Sequence, residues 1–156
     1  MLNLLFAIAV AQVSGPTARP PAVSVVGTWK LNVTKSRFTP GPGWRSQLRS
    51  YTLQPDGGVL VKWTGVGAKG EAMQVSFVSK LDGKDYPMKG SANYDTLNAV
   101  AVDAFTVKSE EKRDRKVVGV AMRTISADGQ VMTITDHGTN RNGEKFSQVL
   151  VFDRQR

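Results

Sequence analysis

The chain has 156 residues, no cysteine, and 21 Lys and Arg against 13 Asp and Glu, a formal charge of +8. This length suits one domain with a real core rather than two, and the lack of cysteine excludes disulfides, thiolate metal sites, a Cys nucleophile and anchoring through a lipidated N-terminal Cys. The bases are spread along the chain except at Lys112-Arg113-Asp114-Arg115-Lys116, which reads as solvated surface, with an anionic surface partner as the alternative.

Residues 2–13 form an apolar run too short to span a bilayer and ended by Ala9-Val10-Ala11, a small-x-small pattern. They read as a signal peptide over 1–11, although no Lys or Arg precedes the run. A tether rich in Pro and small residues follows over 12–24, and the folded domain starts near Val25. Export to the periplasm or the exterior is therefore expected.

Trp29, Leu31 and Val33 alternate with polar residues and read as a half-buried strand. Residues 34–45 carry Thr39-Pro40-Gly41-Pro42-Gly43 and read as a loop, with room for one helical turn over Lys35–Phe38. A strand over 47–54 precedes Asp56-Gly57. Val59, Val61 and Trp63 form one apolar stripe and Met73, Val75 and Phe77 another, separated by a turn with Gly65, Gly67 and Gly70. Asp82-Gly83 leads to a short segment around Pro87, an edge or bulge signal. Strands are expected over 98–107, 117–125, 131–138 and 145–152, with a charged hairpin over 109–116. Asp128-Gly129 and Asn142-Gly143 complete a ladder of turns suited to φ > 0.

About eight to ten strands without an intervening long helix imply an antiparallel sheet, which is expected to close on itself because open edges invite aggregation. The fold class expected is all-β, an antiparallel up-and-down barrel.

Little in the chain suggests catalysis. His137 is the lone histidine, and the adjacent Asp136 would point to the opposite face of a strand. No G-x-S-x-G elbow occurs, and Gly65-x-Gly67-x-x-Gly70 lacks the following helix that a phosphate-binding loop requires. The Asp-Gly turns lack the spacing of a calcium loop. No cofactor or metal is implied. Arg45, Arg49 and Tyr51 alternate as bases and aromatics, too few to suggest specific nucleic-acid binding.

Gly27-Thr28-Trp29-Lys30-Leu31 resembles the opening of the lipocalin and fatty-acid-binding-protein superfamily, the calycins. There a G-x-W motif starts the first barrel strand and the Trp packs at the closed end. Val149-Leu150-Val151-Phe152-Asp153-Arg154 resembles the closing strand of fatty-acid-binding proteins. Asn32, Lys35-Ser36, Phe38, Leu81-Asp82-Gly83-Lys84-Asp85-Tyr86-Pro87 and Ser126-x-Asp128-Gly129 complete a pattern similar to small exported bacterial lipocalin-like proteins, over about residues 25–156. The resemblance implies structural roles for Gly27 and Trp29. It also implies an Arg stacked over that Trp, for which Arg123 and Arg154 are both candidates. Two departures stand out. Leu150 and Phe152 occupy the positions of the Arg-x-Tyr pair that takes a fatty acid carboxylate, and 34–45 is too short for a helix-turn-helix lid.

The expected function is binding of a small, neutral, apolar ligand by Val59, Val61, Trp63, Met73, Val75 and Phe77. Arg49 or Arg123 would admit an anion if turned inward. The alternative is a cell-envelope barrel with a filled interior, whose two-sided apolar strands at Val117-Val118 and 149–152 suit a homodimer or another partner.

Expressed from its own gene, the protein is expected to fractionate outside the cytoplasm with its N-terminus just after Ala11. N-terminal sequencing decides it, and an intact Met1 in the cytoplasm overturns it.

Overall fold

The computed structural model describes residues 24–156. The expected leader and residues 12–23 of the tether lie outside the described residues. Among the described residues eleven strands form one antiparallel sheet. They are β1 (Gly27–Leu31), β2 (Arg37–Thr39), β3 (Ser46–Leu53), β4 (Val59–Val66), β5 (Ala72–Ser79), β6 (Tyr86–Lys89), β7 (Thr96–Ala101), β8 (Thr106–Arg113), β9 (Lys116–Ile125), β10 (Val131–Thr139) and β11 (Lys145–Arg154). Sequential neighbours pair from β3 to β11, and β1 joins both β3 and β11, so ten strands close a barrel. This is a lipocalin/calycin-like architecture.

The remaining strand, β2, continues β1. After Leu31 a 3-10 turn (Val33–Lys35) breaks the run, with the Asn32 side chain accepting from the Lys35 N–H. β2 then takes up the same edge of β11 further along, pairing Arg37 with Val149 and Thr39 with Ser147. The expected strand residue Val33 therefore lies in the turn, and the helical turn forms two residues before its expected place. Asn32 causes the break, because its side chain caps the turn and its Nδ2 donates to Asp153 at 2.7 Å.

Two further expectations change. Residues 98–107 are not one strand: a bend at 102–105 separates β7 from β8, with Phe105 N–H held by Asp103. The Asp-Gly and Asn-Gly pairs mark turns, but within longer loops. The tightest connection, between β8 and β9, uses Asp114 (φ 51) and Arg115 (φ 65), where Arg113 pairs with Lys116. Both φ values are positive, as a two-residue hairpin that matches strand twist requires.

At one end the barrel is plugged. Trp29, Val25, Met132 and Phe152 have no exposed surface, and Leu31, Ile125 and Leu150 join them in the main core. The Trp29 Nε1–H donates to the Val25 carbonyl at 2.8 Å. Arg154 lies 4.1 Å over the Trp29 ring. Its guanidinium also donates to Val26 O and Ser24 O, each at 2.7 Å, and to Gly129 O at 2.6 Å. Of the two arginines considered for this place, the structure selects Arg154. Gly27 has φ +132, and a Cβ there would sit 2.7 Å from Arg154 Nη1. Glycine is needed both for the backbone and to let the guanidinium pass.

Trp29→Ala is expected to lower the unfolding free energy by about 3–5 kcal/mol as a large-to-small core change. Denaturant melts measure it, and an unchanged midpoint overturns the role given to this plug.

Candidate functional site

Beyond the plug the barrel holds a cavity of about 440 Å³. Its interior is therefore not filled by its own side chains. One wall is apolar: Val59, Val61 and Trp63 from β4, Met73 and Phe77 from β5. The β4–β5 register sets Val61 opposite Phe77 and Trp63 opposite Val75. Val75 shares that face and is fully buried, but lies outside the cavity lining. Trp44, from the Pro/Gly loop, meets Trp63 edge-on at 5.4 Å.

The rest of the lining carries the charged groups. Alternation left the directions of Arg49 and Arg123 open, and the structure turns both inward. On β3, Gln47, Arg49 and Tyr51 share the inner face. Arg49 stacks between Trp63 (5.4 Å) and Phe152 (5.1 Å), and its Nε–H donates to Gln47 Oε1 at 2.7 Å. Arg123, from β9, stacks over Tyr51 at 5.4 Å. These inward positions remove Arg49 and Tyr51 from any outer surface that a nucleic acid might use.

Burial pulls the Arg123 guanidinium below its ordinary range, with Tyr51 acting in the opposite sense and Arg49 adding like-charge repulsion. Its Nε is shielded from solvent and has no hydrogen-bond partner among the described residues.

Two carboxyls complete this part of the lining. Glu111 projects from β8 and Asp136 from β10, with β9 between them. The inner positions of β9 facing them are Gly119 and Ala121, so no bulky side chain separates the two acids. A Cβ at Gly119 would sit 2.6 Å from Glu111 Oε2. Asp136 Oδ2 accepts from Gln148 Nε2 at 2.7 Å. Glu111 Oε2 and Asp136 Oδ1 are shielded and have no hydrogen-bond partner among the described residues. Burial pushes the Glu111 carboxyl up to about 8, and the neighbouring Asp136 adds to this, while Tyr94 and Arg49 oppose it. Asp136 is also raised by burial, against the lowering effects of Gln148, Arg49 and His137. Burial raises the Tyr94 hydroxyl as well, with Glu111 beside it. His137 is exposed on the outer face, as alternation with Asp136 demands.

Sequence reading found the apolar wall but not the acids. The signal was present: Asp136 occupies the phase of Met132 and Ile134, both buried. A charged residue in an inward phase is the mark of a polar site within a barrel.

Neither a family model nor a curated protein matches the sequence. Solved structures do. One is EF1p2_mFAP2b bound to DFHBI, at 8% identity and a TM-score of 0.52, over 89% of this chain and 100% of that one. A variant of the fluorescent protein UnaG has 16% identity and a TM-score of 0.52, over 83% and 94%. The zebrafish ileal bile acid-binding protein complexed with cholic acid has 10% identity and a TM-score of 0.49, over 85% and 99%. At these identities the likeness of the first two is one of fold alone, a closed antiparallel β-barrel.

Stability should carry the signature of the buried acid. Folded Glu111 keeps its proton up to about pH 8, whereas an unfolded Glu releases it near 4.3. Unfolding between these values releases a proton, so stability falls as pH rises, by at most about 1.4 kcal/mol per pH unit for each proton. Glu111→Gln is expected to flatten this slope in melts from pH 5 to 8, and an unchanged slope overturns the assignment.

Proposed function

We propose that this protein is a non-enzymatic binding barrel for a small molecule with an apolar body and an acidic end. The cavity of about 440 Å³, with an apolar wall across from the inward Arg123, carries the reading. Val59, Val61, Trp63, Met73 and Phe77 offer the apolar body dry contact. A neutral ligand was expected because Leu150 and Phe152 replace the carboxylate partners on the closing strand. That expectation left an anion open if Arg49 or Arg123 turned inward, and both line the cavity. Arg123 is a buried cation stacked on Tyr51 rather than paired with a carboxylate. A buried charge is costly until it meets an opposite one. A ligand carboxylate at Arg123 would supply that partner, in charge-assisted hydrogen bonds.

The apolar run over residues 2–13 supports an extracytoplasmic setting for this binding. The homodimer and the anionic surface partner have less behind them. Of the strand residues suggested for a dimer, Leu150 and Phe152 are buried, and Lys112 of the basic hairpin is paired with Asp85 at 2.7 Å.

Titration with a fluorescent fatty acid is expected to saturate, and Arg123→Ala to weaken it by about tenfold or more, the cost of losing a charge-assisted hydrogen bond. Fatty acid binding that is absent, or unaltered in Arg123→Ala while the variant stays folded, overturns the reading.

A further inference from the structure

We infer that the barrel takes up a proton with its acid ligand: the Glu111–Asp136 carboxyl pair is a proton site linked to the ligand anion at Arg123, so that protonation favours holding the ligand and deprotonation favours its release. This rests on the binding reading above and adds to it a second occupant of the cavity, the proton, and a place for it.

The placement comes from the register of three strands. Gly119 of β9 is paired on one side with Glu111 of β8 and on the other with Gly138 of β10. Ala121 is paired with Ser109 and with Asp136. The two carboxyls thus enter the cavity from either side of β9, one inward step apart. Arg123 is the next inward residue on β9 after Ala121, about 7 Å further along at the usual rise for two residues. Anion site and acid pair therefore share one strip of the wall. Arg49 acts on both acids and on Arg123, so it links the two ends of the strip in a cavity screened far less than water.

The groups facing the pair are few. Arg49 of β3 acts on both acids. Tyr94 lies against Glu111, with Arg113 acting on Tyr94. Gln148 of β11 donates to Asp136, and His137 acts on Asp136 from the outer face of β10. Arg123 faces Tyr51 and Arg49.

Counting charge gives the direction. With one carboxyl of the pair protonated, the two cations Arg49 and Arg123 are balanced by a single carboxylate, and one positive charge remains for the ligand acid. When the second carboxyl ionises, the interior balances itself and a ligand anion becomes surplus. The protonation that burial already favours at Glu111 is thus the state that suits an acid ligand. Coupling is reciprocal, so a bound anion holds the proton more firmly and the proton holds the anion more firmly.

The test compares a dansylated fatty acid with its methyl ester on the full folded chain from pH 7.0 to 9.5, with proton uptake measured calorimetrically in two buffers of different ionisation enthalpy. The acid probe is expected to weaken about fivefold to tenfold across this range and to bind with net proton uptake near pH 8. The ester should show neither effect. Glu111→Gln, and Asp136→Asn as a second variant, should flatten the profile and abolish the uptake. Should neither variant fold, wild-type proton uptake decides. Saturable acid-probe binding without pH dependence or uptake, or a profile unchanged in both variants, overturns the linkage and leaves the binding reading intact. Absence of binding by both probes overturns the binding reading and the linkage with it.

Discussion

Closure of the barrel depends on Arg154 stacking on Trp29. The ring fills the end of the barrel, and the guanidinium covering it ties together the chain before β1, the start of β1 and the β9–β10 turn. The β9–β10 turn is distant in sequence from the chain entering β1, and both would otherwise leave backbone carbonyls unsatisfied at a buried end. Because β1 pairs with both β3 and β11, the clasp also holds the seam where the sheet meets itself. Gly27 is part of the same device, since a side chain there would displace the arginine.

Plugging one end leaves the rest of the interior free to differ from a core. On β4 and β5 the inward phase is Val, Trp, Met and Phe. On β3, β8, β9 and β10 it includes Arg49, Tyr51, Glu111, Arg123 and Asp136. A packed core would not bury two guanidiniums and two carboxyls, three of them with an unpartnered atom, because each such group loses hydration without a matching bond. A barrel that keeps these groups inward gives up part of its stability to do so. Arg49 shows how the loss is limited: flanked by Trp63 and Phe152 and bonded to Gln47, it is held in one orientation. Small residues do the complementary work on β9, where Gly119 and Ala121 leave room for the acids on the neighbouring strands.

The loops divide along the same axis. At the plugged end, turns such as 126–130 are fastened to the clasp. At the other end Trp44, Tyr94 and Phe146 come from loops or strand starts and line the cavity. The break between β1 and β2 belongs to this second end. By carrying β2 along β11 away from β3, it lets the Pro/Gly loop and Trp44 fall across the wall beside Trp63.

The sequence by itself determined the barrel class, the place of Trp29 and the apolar stripes of β4 and β5. Period-two alternation and Gly-containing turns are local signals, set by φ preferences and by which face of a strand meets water. Strand ends were less legible where a side chain bonded locally, as Asn32 does in ending β1 and Asp103 in dividing β7 from β8. What only the tertiary structure decided was which arginine covers Trp29 and which way Arg49 and Arg123 point. It also decided that Glu111 and Asp136, 25 positions apart on strands flanking β9, face the same space. Those outcomes depend on register across strands and on closure. A charged residue in an ambiguous phase turns inward only when the neighbouring strands supply a partner or room for it, and no window along the chain contains both.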